Sequence, residues 1–281
     1  MNPFSIEYNG LVIDSDSKYR VSKLEGVDGL NIRMSEDPIT GGDGGNIWAQ
    51  KYDMRTIVFE GIIKGDDVVD FFLQRRAFVK AFAINTNNLL KITMWDGTIR
   101  QIYAKVINSP MIVNTNGRTT FTNYHVELKA PFPFFTGDVA TTQRSATAYL
   151  ISKVGFPIPN PIPTPLTGSS ENKVTLANNG DFINYPSIRI SNAVSNPSLL
   201  NTTSGVGFSI DTTLVDGEYI DIYYDQNGLF VYKNDGTNLM SSFKGKLPSM
   251  LLGNNDFIFT ASSYSATSQL TITYSDIFIS A

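Results

Sequence analysis

Residues 24–63 read LEGVDGLNIRMSEDPITGGDGGNIWAQKYDMRTIVFEGII. Two β-like runs flank the glycine-rich loop Gly41-Gly42-Asp43-Gly44-Gly45, and the second run carries Arg55 before closing on Glu60-Gly61-Ile62-Ile63. Glycine tolerates positive φ, so the loop reads as a protruding connection between paired strands. Outward from this stretch, hairpin signals recur. Asn9-Gly10 separates SIEY from LVID, Asp96-Gly97 separates LLKITM from IRQIYAKVI, and Asn116-Gly117 separates MIVNT from RTTFTNYHVELK. Each dipeptide suits the positive-φ pair of a two-residue hairpin turn.

One helix interrupts the strands. In DDVVDFFLQRRAFVKAF, Asp66 or Asp67 serves as N-cap, and Val68, Phe71, Phe72, Val79 and Phe82 are expected on one face, laid against a sheet. Arg75 interrupts that stripe, either snorkelling at its rim or pairing with a neighbouring subunit. From Asn172 onward the chain is short strands and turns: KVTLAN, PSIRIS, GVGFSID, EYIDIYY, GLFVYK, DFIFTAS and QLTITYSDIFIS. Alternation is clear at Ile220, Ile222 and Tyr224, and again at Leu270, Ile272 and Tyr274. Many short strands without a helix predict a β-sandwich or jelly roll. The prolines at 157, 159, 161, 163 and 165 forbid regular pairing, and composition alone would divide the chain there.

The 281 residues suffice for two domains, each with its own core. Residues 1–150 hold sixteen basic and sixteen acidic side chains, whereas residues 151–281 hold six and ten, which accounts for the net charge of −4. That balance offers no broad basic surface for phosphates and argues against tight nucleic-acid binding. With no cysteine, disulfides, thiolate zinc sites and cysteine nucleophiles are excluded. The N-terminal MNPFSIEYNGLVID reads as a hairpin rather than a signal peptide, and no apolar run is long enough to cross a bilayer as a helix.

The pattern Glu25-Gly26, Gly29-Leu30, Arg33, then Asp43-Gly44-Gly45, then Arg55-x-Ile57 with Gly61-x-Ile63, resembles the N-terminal signature of the distal tail proteins of long-tailed, non-contractile bacteriophages. In the second half Asn179-Gly180-Asp181, Pro186-Ser-Ile-Arg-Ile, Asn201-Thr-Thr-Ser-Gly, Asp216-Gly217-Glu218, Asn234-Asp-Gly and Leu252-Gly-Asn-Asn follow that family's order. The stretch 136–150 aligns with nothing. The resemblance implies a mostly β protein with one main helix. An N-terminal β-sandwich or belt domain with a helix and a protruding hairpin spans residues 1–137, and a C-terminal galectin-like, jelly-roll β-sandwich spans residues 138–281.

It further implies a structural hub, not an enzyme: a homo-hexameric ring at the distal end of the tail tube. Its partners would be copies of itself, the tail tube protein, the tail-tip hub or tail-associated lysin and receptor-binding proteins. DNA would only pass its lumen, and nothing would insert into a membrane. The location would be the virion, after synthesis in the host cytoplasm. Arg33, Asp43, Gly44, Gly45, Trp48 and Arg55 are the expected subunit contacts, with Trp48 either an interface anchor or a local core residue. The alternative is a carbohydrate-binding protein whose C-terminal sandwich stacks host cell-wall glycans on Tyr223, Tyr224, Phe230, Tyr232 and Tyr264.

No catalytic, cofactor or metal site stands out. His125, the single histidine, alternates with Tyr124 and Val126 in a strand, and no Gly-x-Ser-x-Gly elbow accompanies it. Paired glycosidase carboxylates are not singled out by any spacing. Asp14-Ser-Asp16-Ser begins like a calcium loop but continues with Lys18 and Tyr19, so it reads as a turn. The 41–45 loop lacks the Gly-Lys-Ser/Thr of a phosphate cradle.

Overall fold

The longest pairing joins β6 (Arg55–Lys64) to β11 (Phe121–Ala130), antiparallel over ten residues. The computed structural model describes residues 4–84, 89–112, 120–138, 142–150, 172–225 and 227–281. Its chain divides into two units, residues 1–141 with 277–281, and residues 142–276. The Asn116-Gly117 turn and the proline run at 157–165 lie outside the described residues.

In the first unit, β11 is flanked by β10 (Met111–Ile112) and β9 (Lys105–Val106), and β6 by β3 (Tyr19–Glu25). A second sheet runs β2 (Leu11–Asp14), β1 (Ser5–Tyr8), β7 (Leu89–Thr93), β8 (Ile99–Tyr103), β12 (Phe135–Gly137) and β26 (Ile277–Phe278). Period-two alternation sends Ile57, Phe59, Tyr124, Val126 and Leu128 from the one sheet, and Ile6, Tyr8, Leu90 and Ile92 from the other, into a single core. Residues 277–281, expected in the second module, belong instead to the first, because β26 pairs with β12 and the Ala281 N–H donates to the Val27 carbonyl at 3.1 Å.

Helix α1 (Val68–Ala81) is capped by Asp67, whose carboxylate accepts from the Asp70 N–H at 2.8 Å. Its buried face differs from the expected stripe. Phe71, Phe78 and Phe82 are buried, while Phe72 and Val79 are exposed and Val68 is half-buried. Phe78 packs on Tyr19 and Tyr124, and Phe82 on Tyr8 and Phe59, so the helix seals the sandwich against strands of both sheets. Arg75 is half-buried at the edge of this inner face.

The turns follow their sequences with one difference. Asn9 and Gly10 both take positive φ, 51° and 78°, as a two-residue hairpin turn requires. At Asp96-Gly97 only Gly97 does; the loop is wider, with the Met94 N–H donating to the Thr98 carbonyl and the Asp96 carboxylate accepting from the Thr98 N–H. The Asp14 carboxylate accepts from the N–H groups of Asp16 and Ser17, which makes that segment a turn.

The second unit is a β-sandwich. One sheet orders β13 (Gln143–Tyr149), β25 (Gln269–Ser275), β15 (Ser187–Ser191), β20 (Tyr219–Asp225) and β21 (Gly228–Lys233). The other orders β14 (Lys173–Asn178), β23 (Gly253–Thr260), β17 (Ser198–Asn201), β18 (Val206–Ile210) and β22 (Phe243–Gly245). Ile188, Ile190, Ile220, Ile222 and Ile272 from the first meet Leu199, Phe208, Phe257 and Phe259 from the second in one core. A small sheet of β16 (Val194–Ser195), β19 (Thr213–Leu214) and β24 (Ser263–Tyr264) completes the unit. Buried Asn178, Asn201 and Asn255 satisfy backbone groups of the adjoining loops: Asn255 alone bonds the N–H and carbonyl of Leu251, the Gly253 carbonyl and the Asn201 amide.

Candidate interaction surfaces

The stretch 24–63 folds into an arm. Strands β4 (Ile32–Pro38) and β5 (Gly45–Tyr52) pair only with each other, and every residue from 31 to 52 is exposed. Gly41 and Gly44 take positive φ at the tip, where the Ile39 N–H donates to the Gly44 carbonyl at 3.1 Å. A Cβ on Gly45 would sit 2.9 Å from the Asp37 carbonyl oxygen, so the close strand approach there requires glycine. Asp43, Gly44 and Gly45 thus form the tip, and Arg33 lies near the base, directly opposite Lys51.

The register shifts between Ser35 and Glu36, leaving Trp48 as the unpaired residue of a β-bulge. Its side chain is 70 % exposed, and its indole N–H donates to the Asp37 carboxylate at 2.9 Å. Trp48 is therefore no core residue but a large ring fixed in orientation on the surface. Pairing places Ile32 with Tyr52, Met34 with Gln50 and Glu36 with Ile47 on one face, and Arg33 with Lys51 and Asp37 with Asn46 on the other. The first face is largely apolar, with Ile32, Met34 and Ile47 exposed and Tyr52 edge-on to Phe134. A lone two-stranded ribbon is marginal in water.

Arg55 does not belong with the arm's contacts. It is 2 % exposed, and its guanidinium donates to the carbonyls of Pro133 at 2.6 Å, Gly26 at 2.6 Å, Gly29 at 3.4 Å and Ile279. It also lies 4.5 Å above the Phe135 ring. Burial pulls the guanidinium down to about 10, which leaves it charged at neutral pH. The geometry makes Arg55 an internal clamp on three segments of the first unit, and the expectation of a subunit contact is corrected accordingly.

In the second unit alternation gathers three of the five expected aromatics. Tyr223, Phe230 and Tyr232 stand in a row on the outer face of β20 and β21, with ring centroids 5.4 and 6.0 Å apart and planes within 18°. Asp221, opposite Tyr232 across the strands, holds Arg189 bidentately at 2.6 and 2.7 Å, and that guanidinium lies 4.2 Å over Tyr219. Tyr224 points to the other side and stacks on Tyr185 at 4.7 Å, while Tyr264 lies in the small sheet. Neither joins the row.

His125 faces away from the buried Tyr124 and Val126, with its Nδ1 3.0 Å from a Glu60 carboxylate oxygen in the facing strand. This is a cross-strand polar pair on a sheet. Among the described residues, no group of three or more metal-ligating side chains converges, and no helix is long and apolar enough to cross a membrane.

The family model of the phage tail protein RIFT-related domain matches residues 9–128. Among solved structures, the chain is similar to the Dit protein (gp 19.1) of phage SPP1, described there as a paradigm of the hub adsorption apparatus in phages infecting Gram-positive bacteria. That likeness has a TM-score of 0.66 at 15 % identity, over 98 % of this chain and 99 % of that one. A looser likeness, TM-score 0.48 at 12 % identity over 96 % and 97 % of the two chains, links it to the phage P2 baseplate in its activated conformation with calcium. No curated protein matches the sequence.

Proposed function

We propose that this chain, whose residues 9–128 match the family model of the phage tail protein RIFT-related domain and whose fold is like that of the SPP1 Dit protein, forms a closed homo-hexameric ring at the distal end of a phage tail tube. The arm at residues 32–52 carries this reading: it is a ribbon with a largely apolar face and an oriented tryptophan, attached to a unit that already has a complete core. A ring needs a contact between two different patches that returns on itself, and an extended arm reaching a neighbour supplies one half of such a contact. Arg33, Asp43, Gly44, Gly45 and Trp48 are the contacts proposed on the arm. The ring would join the tube to the tail-tip hub or lysin and to receptor-binding proteins. Deleting Gly42–Gly45 together with Trp48→Ala is expected to abolish rings while the monomer stays folded; intact rings would remove the arm from the account.

A second reading, glycan binding by the second unit, draws on the Tyr223–Phe230–Tyr232 row beside the Arg189–Asp221 pair. Aromatic rings next to fixed polar groups suit a sugar's apolar face and hydroxyls, although these rings already cover part of one another's faces. Retention of the full chain on host cell walls, lost in Tyr223→Ala/Tyr232→Ala, would support it, and retention unchanged by that double substitution would end it.

A further inference from the structure

We propose that the outer face of α1 is the surface that receives the arm of a second copy of this chain. The inference rests on the ring reading above and names the other half of its contact. Helix α1 is apolar on two sides. Phe71, Phe78 and Phe82 point into the core, whereas Val69, Phe72, Leu73 and Val79 point away from it and are 71 %, 56 %, 61 % and 42 % exposed. At 100° per residue these four residues bracket Arg76 and Lys80, both exposed, on the side opposite Phe78. A helix with one face in a finished core gains nothing from four large apolar side chains in water, so the outer face calls for a cover.

The arm fits that face in chemistry and in size. Its largely apolar face carries Ile32, Met34, Ile47 and Tyr52, with Glu36 and Gln50 on the same side, and Asp43 lies at its tip. Apolar residues with carboxylates thus face apolar residues with two cations, whereas the arm's own cations, Arg33 and Lys51, lie on its other face. Strands of seven and eight residues span about 23–27 Å and a 14-residue helix about 21 Å, so one can lie along the other. The arm and the helix face are different patches of one subunit. Their pairing is therefore head-to-tail, the kind of contact that closes rings rather than stopping at a two-fold dimer.

The test uses the absence of cysteine from the chain. Full-length Met34→Cys and Leu73→Cys proteins, prepared separately and mixed, are treated with a short bismaleimide. The mixture is expected to yield covalent dimers at least tenfold more abundantly than either protein alone. In parallel, Phe72→Glu/Leu73→Glu should lose rings by light scattering while keeping the wild-type far-ultraviolet circular dichroism, since both residues are exposed. Wild-type rings that survive this double substitution, with no Met34→Cys to Leu73→Cys product, would overturn the inference and leave the ring reading standing. A wild-type chain that stays monomeric at every concentration, with and without its tail tube, would overturn both.

Discussion

Replacing Arg55 by methionine should unfold the first unit well before it affects anything else. The guanidinium satisfies the carbonyls of Gly26, Gly29, Pro133 and Ile279 from a site that is 2 % exposed, and it stacks on Phe135. Charge-assisted hydrogen bonds of this kind contribute about 1.5–3 kcal/mol each, but the desolvation of the cation offsets much of their sum. What methionine leaves behind is a set of carbonyls without their donor, each costing about 1–3 kcal/mol if left unsatisfied, so that with the cation's desolvation relieved the loss should come to about 3–5 kcal/mol. At about 2–4 °C per kcal/mol for a unit of this size, the melting temperature should fall by about 6–20 °C. Lysine, a single point charge without the planar fork, should recover less than half of that loss. Calorimetry on full-length protein separates the transitions of the two units; only the first should move. A loss below about 1 kcal/mol, within the range of surface substitutions, would refute the clamp and return Arg55 to the surface.

Three further substitutions test the fold from which the surfaces project. Phe78→Ala should cost about 3–5 kcal/mol in urea unfolding of the monomer, whereas Phe72→Ala one helical face away should stay within about 0.5 kcal/mol; equal costs would refute the assignment of inner and outer faces. Gly61→Ala would place a Cβ 1.8 Å from the Arg20 carbonyl oxygen and 2.6 Å from the Tyr124 hydroxyl, so the β3–β6 pairing should open, read as faster amide exchange along Tyr19–Glu25; unchanged exchange would contradict that close approach. Hydrogen bonds from Gln74, from Lys18 and from the Asp66 N–H hold the Asp70 carboxyl down at about 2, below its ordinary 3.8. Because the folded value is the lower one, this stabilisation is present above about pH 4 and is lost as pH falls toward 2. Wild-type stability should therefore drop more steeply over that window than that of Asp70→Asn, and parallel curves would refute the link.

Much of the fold was legible in the sequence because turns and alternation are local signals. Asn9-Gly10 fixed its hairpin, and phrases read as family signature mark backbone necessities. Gly26, at φ 81°, lies where a Cβ would meet the Thr56 carbonyl at 2.0 Å; Asn201 and Asn255 are buried loop anchors. Arg55 was legible as important but not as buried, since its acceptors are backbone carbonyls from residues 26, 29, 133 and 279, which leave no pattern in side chains. The helix misled for a different reason. Its apolar residues occupy two faces, and periodicity cannot tell a stripe meant for the core from one meant for a partner. Trp48 posed the same question in a strand, answered only by its exposure and its bond to Asp37. Of the five aromatics singled out in the second unit, alternation and cross-strand register brought three together.

The most direct test of the ring is electron microscopy of the full-length wild-type protein at high concentration, repeated with its tail tube present. Closed six-fold rings with a hollow centre are expected. Dispersed monomers under both conditions, or open chains that never close, would contradict it.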